Sequence, residues 1–230
     1  MPADGSLDAL TREIVECRLC PRLVEWRELV AVEKRASYRS EEYWGRPVPG
    51  FGDPAAPVLV VGLAPAAHGG NRTGRIFTGD RSGDWLFGSL HRTGFANQPT
   101  SVHRDDGLLL RDMYIAAAVR CAPPANRPTP DERDRCLPYL VREIGLLERL
   151  RAIVVLGAFA YDAVARVLAR AGTPMPKPRP KFGHGVEVPA GGLTVVCSYH
   201  PSQQNTFTGK LTEPMLDAVF ARAKEISRAG

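Results

Sequence analysis

No stretch of this chain approaches the roughly eighteen consecutive apolar residues that a membrane-spanning helix requires. A helical membrane anchor is therefore not expected. The segment ahead of Cys17 also lacks the apolar stretch of a secretory leader and carries charges at Asp4, Asp8, Arg12, Glu13 and Glu16. The expected setting is cytoplasmic and reducing, which weighs against disulfides. Internal repeats and low-complexity tails are missing, so nothing points to a repeat array. Two phosphate-binding fingerprints are absent as well. No Gly-Lys-Ser/Thr closes a P-loop, and no Gly-x-Gly-x-x-Gly follows a strand-like run.

What the chain does have is a pattern of cysteines. Cys17-x-x-Cys20 lies near the start, and Cys121 and Cys136 lie about a hundred residues downstream with fourteen residues between them. The fifth, Cys197, sits in the apolar run Thr194-Val-Val-Cys-Ser-Tyr199 and reads as a small core residue. Two separated pairs of thiols suggest a metal site that ties the beginning of the chain to its middle. Zinc prefers two compact knuckles, and only the first pair is one. An iron-sulfur cluster is larger and accepts ligands from separate elements. A disulfide pairing is the third option.

With 230 residues the chain can bury a core without covalent staples, and it reads as a single domain, 1–230, with an N-terminal helical region. Its net charge of +5 is a weak pointer to a polyanionic partner. The segment Pro174-Met-Pro-Lys-Pro-Arg-Pro-Lys-Phe182 sets Lys177, Arg179 and Lys181 on a proline-stiffened stretch, either a solvated loop or a basic rail for phosphates.

Ser6 can cap a first helix bearing Leu7, Leu10, Ile14 and Val15 at helical spacing, and a second amphipathic stretch runs from about Pro21 to Tyr38. The Gly/Pro-rich segment from Tyr43 to Pro54 is not expected to be regular. Val58–Gly62, Ala152–Gly157 and Leu193–Ser198 read as buried parallel strands, with Asp112–Val119 as a fourth. Thr129-Pro-Asp-Glu132 is a capping box that opens a helix to about Leu147, which Pro138 would kink or interrupt. Further helices are expected over Ala158–Arg170 and after Thr212. The alternation predicts an α/β fold: a three-layer α/β/α sandwich around a small, mainly parallel four-stranded sheet.

Ligands of such sheets bind beyond the carboxyl ends of the strands, here the loops 63–83, 120–128 and 199–212. The first, opening at Gly62 and rich in small residues, lets a ligand approach the backbone. Phe77 is available there to stack on a planar ring, or else plugs the core. His200, just past a strand and followed by proline, is a candidate for chemistry or a structural histidine.

The sequence from Gly62 to Asp80, the stretch Val119-Arg-Cys-Ala-Pro-Pro-Ala-Asn-Arg-Pro-Thr-Pro130, His200-Pro-Ser202 and the paired cysteines together resemble the uracil-DNA glycosylase superfamily, most closely its family 5 (type B) branch. The resemblance covers nearly the whole chain. It implies a monofunctional base-excision enzyme that leaves an abasic site in double-stranded, and also single-stranded, DNA, acts as a monomer, and carries a 4Fe-4S cluster on Cys17, Cys20, Cys121 and Cys136. Phe77 would stack on the flipped base, while backbone groups from Gly62 through Ala64 to Ala66 line the pocket. His200 would hydrogen-bond a base carbonyl and stabilise the departing anion.

Related families place Asp, Glu or Asn early in the first motif, where this chain has Leu63, Ala64, Pro65, Ala66 and Ala67. They also often carry an Asn where this chain reads Ile115-Ala-Ala-Ala118. Asp80 and Asn126 are the nearest substitutes for positioning water or stabilising the sugar cation. Their bland alternatives are a helix cap near Gly83-Asp84-Trp85 and a turn before Pro128. A missing amide reader implies a range that includes hypoxanthine and xanthine. Gln203, Gln204, Asn205 and Phe207 would form a wedge, and Arg72, Arg75 and Lys210 would touch phosphates. Ala122–Pro128 lacks the histidine insertion by which a sister branch captures DNA covalently, so turnover is expected. A non-enzymatic iron-sulfur protein that binds nucleic acid or carries electrons is the competing class.

Overall fold

The computed structural model describes residues 6–229. Four runs of β-branched and small apolar residues form the centre of a sheet: β2 (Val58–Gly62), β3 (Met113–Ala117), β4 (Ala152–Leu156) and β6 (Leu193–Ser198). They are mutually parallel in the order β3-β2-β4-β6. Successive side chains point to opposite faces, and both faces are covered. Leu59 and Val61 enter one core, while Val58 and Val60 enter the other.

The sheet has six strands rather than the expected four. A two-residue β1 (Phe51–Gly52) pairs antiparallel with β3, and β5 (Glu187–Ala190) pairs antiparallel with β6. Both escape a reading based on apolar runs. The first lies inside the Gly/Pro-rich segment, and the second contains Pro189, which an edge strand tolerates because one side of it makes no ladder bonds.

On one face lie α5 (Pro130–Leu146) and α6 (Ala158–Arg170), with α1 (Leu7–Val15) against α5. On the other lie α4 (Arg81–Arg92) and α8 (Glu213–Arg228). The capping box at Thr129 forms as read, with both reciprocal bonds present. Pro138 does not interrupt α5, which runs through it as one helix. The second helix, α2 (Pro21–Glu33), stops short of Tyr38. Lys34 takes a positive φ and a 3-10 turn over Ala36–Tyr38 follows. Two short helices were not anticipated: α3 (Gly70–Thr73) within the first loop and α7 (Gln203–Phe207) within the last. Among the described residues no helix is long and apolar enough to cross a membrane.

Candidate active site and cysteine pocket

Because β2, β3, β4 and β6 are parallel, the loops that follow β2, β3 and β6 emerge at the same edge of the sheet. Two bonds extend the ladder into that edge: Ala118 N–H donates to the Gly62 carbonyl at 2.9 Å, and Gly157 N–H donates to that of Ser198 at 2.9 Å.

Phe77 is held there by its neighbours. Its φ is +54°, a left-handed conformation that costs a bulky residue energy and persists only where the surroundings enforce it. Gly62 leaves the space for its ring: a methyl group on that glycine would lie 2.7 Å from Phe77 Cζ. Gly83 packs against the Phe77 carbonyl so closely that no side chain fits there. The ring is only 5 % exposed and belongs to the core shared with α4 and α8. It also faces the imidazole of His200, with centroids 6.0 Å apart and planes inclined by 37°.

The His200 imidazole is shielded enough from water that desolvation pushes its pKa down to about 4. At neutral pH the ring is uncharged and presents one N–H donor. Asn205 braces the residue from behind, its Nδ2 donating to the His200 carbonyl at 2.9 Å. That bond gives Asn205 a role within the protein.

Asp80 caps α4, its Oδ1 accepting from Gly83 N–H at 3.0 Å, as the cap reading anticipated. The other oxygen lies against Gly69, where any side chain would collide with it. Burial raises the Asp80 pKa, against the pull of the Gly83 and Ser82 N–H groups and of Arg72. Asn126 stands apart: it is exposed at positive φ beside Ala125, also at positive φ. Among the described residues no hydrogen bond links it to Asp80 or His200.

Arg72 and Arg75 do not face outward for phosphates. Each is 7 % exposed and shapes the first loop from within. Arg72 pairs with Glu41, donates to the carbonyls of His68 (2.8 Å) and Gly79 (3.2 Å), and stacks on Tyr38. Arg75 donates to both Asp106 oxygens at 2.8 Å and also to Thr78, Ser101 and the Arg104 carbonyl. Burial opposes the charge of Asp106, but Arg75 and the N–H groups of Val102, Leu108 and His103 outweigh it and hold the carboxyl down to about 2. A cation so engaged is a structural member; spacing alone did not reveal its partner, thirty-one residues away.

The residues expected to form a wedge are more open. Phe207 is 68 % exposed, Gln203 and Gln204 are exposed beside it, and the Arg81 guanidinium sits 5.1 Å over the Phe207 ring. Arg81 was not singled out from sequence; its position directly after the Asp80 cap is the only signal. Lys210 lies 4.7 Å over the Tyr199 ring. Lys177 and Lys181 are exposed, whereas Arg179 pairs with Asp162 at 3.1 Å.

The four early cysteines share one cavity, walled by Cys17, Cys20, Cys121 and Cys136 with Arg120 and Tyr139. All five cysteines are free thiols. Cys20 is the N-cap of α2, and Cys136 lies on the buried face of α5. Burial pushes the Cys121 thiol up to about 11 against the pull of Arg27, and that of Cys136 up to about 12 against the pull of Arg120. Such sulfurs become thiolates only with a bound cation to repay the charge. Among the described residues no three His, Cys, Asp or Glu side chains converge on one ion-sized position.

This pocket touches the first loop in two places. Ala64 packs against the core that contains Cys121 and Cys136. Asn71 Nδ2 donates to the Arg27 carbonyl at 3.1 Å, joining the loop to the helix that starts at Cys20. Arg27 was also missed from sequence, although it is a lone cation on the buried face of α2 with Leu23, Val24 and Val30.

Residues 49–224 match the family described as the uracil DNA glycosylase superfamily. The chain is 53% identical to a type-5 uracil-DNA glycosylase of Mycobacterium tuberculosis, over 97% of this chain and 82% of that protein. It is 49% identical to the type-5 enzyme of Thermus thermophilus, over 96% of this chain and 98% of the relative. A type-4 uracil-DNA glycosylase of Archaeoglobus fulgidus is 30% identical, over 86% and 82% respectively.

Proposed function

This chain belongs to the uracil DNA glycosylase superfamily, and from that premise we propose that it hydrolyses the N-glycosidic bond of uracil in DNA and releases the free base. The observation that carries the reading is the pair formed by Phe77 and the neutral His200 at the carboxyl edge of the sheet. A base inside a duplex is out of reach, so it is flipped outward, with Phe207 and Arg81 entering where it left. The edge of the Phe77 ring and the backbone at Gly62 and Ala66 receive the base. Bond cleavage leaves negative charge on the pyrimidine, and the His200 N–H donates to the carbonyl that gathers it. An uncharged donor in a water-poor site serves well, because it needs no reorganisation as the anion forms.

Asp80 is the group proposed to hold the attacking water and to face the cationic sugar. One oxygen caps α4, which fixes the carboxyl while the second remains for that work. Asp80→Asn keeps the cap, because a carboxamide oxygen also accepts from Gly83, but removes the charge. Single-turnover excision is expected to slow by about 10² with little change in melting temperature, the scale of one general-base or electrostatic contribution. The acid limb of the rate–pH profile should vanish with it. Equal losses of rate and stability would instead mark Asp80 as a cap alone. Asn126 is retained in a lesser role, as an exposed residue of the loop after β3 that meets the sugar or water when DNA is bound.

The range is proposed to extend to hypoxanthine and xanthine, because the walls supplied by Leu63–Ala67 and Ile115–Ala118 carry no side-chain amide to demand a pyrimidine. Asn71, the amide in the first loop, is occupied with Arg27. Assays on duplexes bearing each lesion, with the abasic sites converted to strand breaks by alkali, test both levels. Intact uracil duplex would end the functional reading, and uracil cleavage without purine cleavage would end only the broader range. Ala122–Pro128 contains no histidine, which supports turnover without covalent capture.

A 4Fe-4S cluster is proposed on Cys17, Cys20, Cys121 and Cys136. The donor set is all soft thiol, and two hydrogen bonds already point at its sulfurs: Arg27 Nη1 to Cys121 Sγ at 3.0 Å and Arg120 N–H to Cys136 Sγ at 3.3 Å. Bound there, the cluster supplies a crosslink between the N-terminal helices and the loop after β3. Arg27 and Asn71 carry that constraint to the first loop.

A further inference from the structure

Two arginines stand beside the cysteine cavity without their donors fully used. Arg27 is 2 % exposed; it gives Nη1 to Cys121 Sγ and Nη2 to the Cys17 carbonyl, and its Nε finds no acceptor among the described residues. Its nearest carboxylate, Glu28, lies 3.8 Å away, is exposed, and is already bound by both ends of Arg18. Arg120 is 1 % exposed and lines the same cavity. It pairs with the equally buried Glu143, yet its Nε and Nη1 meet no acceptor among the described residues. Buried guanidinium donors left unpaired are costly, and native proteins rarely keep them without a partner. The cavity that Arg120 lines, and that Arg27 reaches through its bond to Cys121, is walled by four sulfurs, which become anionic on metal binding.

We infer that Arg27 and the Arg120–Glu143 pair are the electrostatic setting of the cluster and fix its reduction potential. The inference rests on the cluster reading given above. A cluster held by four thiolates is a net anion, and one-electron reduction makes it more negative. Arg27 brings one positive charge with no buried carboxylate to cancel it, so it favours the reduced form and raises the potential. Arg120 is neutralised by Glu143 and contributes hydrogen bonds and a dipole but little net charge. The two positions therefore make opposite predictions. Arg27→Gln removes a cation and lowers the potential. Glu143→Gln removes the compensating anion, leaves Arg120 as a free cation, and raises it.

The test begins with iron and acid-labile sulfide analysis of the purified wild-type protein. Absence of both ends the cluster reading itself, and the inference goes with it. With cluster present, the midpoint potential of each variant is measured by voltammetry, alongside Arg92→Gln as a control for an arginine that pairs with Asp217 on α8 and does not line the cavity. The expected result is a negative shift for Arg27→Gln, a positive shift for Glu143→Gln, recovery toward wild type in Arg27→Lys, and no shift for Arg92→Gln. A merely structural role would change melting temperature without this pattern of signs. Wild-type potentials in the cluster-bearing variants would overturn the inference while leaving the cluster in place. If one variant does not fold, the sign of the shift in the other still decides.

Discussion

His200→Ala should slow uracil excision by about 10²–10³ under single-turnover conditions, the loss measured when one donor to a developing oxyanion is removed. DNA affinity should hardly change, because the lost bond strengthens only as the base becomes an anion. Folding should be little affected. The imidazole is not needed to hold the loop, which Asn205 secures through the backbone carbonyl. A loss under about tenfold would exclude the proposed donor role, as would a parallel loss of DNA binding. The residue also has a pH signature. Its folded pKa of about 4 lies below the ordinary value near 6.5, so between the two the unfolded chain binds a proton that the folded chain does not. Stability from this residue is therefore intact above 6.5 and declines as pH falls toward 4. His200→Ala should flatten that part of the stability–pH curve. Throughout the neutral range the wild-type rate should show no inflection from His200, because its ring is already uncharged there.

Replacing Cys136 by alanine should have the largest effect on the protein as a whole. Cluster iron and colour are lost, and the melting temperature falls by at least about 10 °C, given that each 1 kcal/mol moves a chain of this size by about 2–4 °C. Metal–thiolate binding that couples to folding contributes far more than a few kcal/mol. The matched control is Cys197→Ala, a buried thiol of β6 in the core with Val195 and Ile153. It should keep full iron content and lose about 1–2 kcal/mol, the scale of a small core truncation. Equal behaviour of the two variants in iron content and melting would dispose of the metal assignment.

The four parallel strands were legible because each is a run of apolar residues buried on both faces, which needs no knowledge of partners. The helices over Pro130–Leu146 and Ala158–Arg170 were legible because their caps are written in local sequence. The edge strands were not, since two residues in a glycine-rich segment and a proline-bearing strand carry no periodic signal. In the site, Asp80 was found with both of its readings, a helix cap and a group to position water or steady the sugar cation, and the cap is present in the fold. Arg72 and Arg75 were misjudged because a buried arginine and a phosphate-seeking one look alike until the distant partner, Glu41 or Asp106, is known. Arg27 was overlooked for the converse reason. A cation on an apolar helix face means little until the thiol of Cys121, ninety-four residues away, is found beside it.

The placement of the cysteines has a consequence for how the protein is made. During synthesis the first pair leaves the ribosome about a hundred residues before the second, so the N-terminal hairpin waits for its partner. Closing so long a loop is slow compared with forming local helices. The proposed cluster, which needs all four sulfurs, would enter only after the chain beyond residue 136 has emerged, when β2 and β3 have both been synthesised. Until then the thiols are open to oxidants and stray metals. With the proposed cluster on these thiols, the vulnerable interval falls during translation, and cells short of iron or under oxidative stress should lose the protein by failed maturation rather than by damage to the finished molecule.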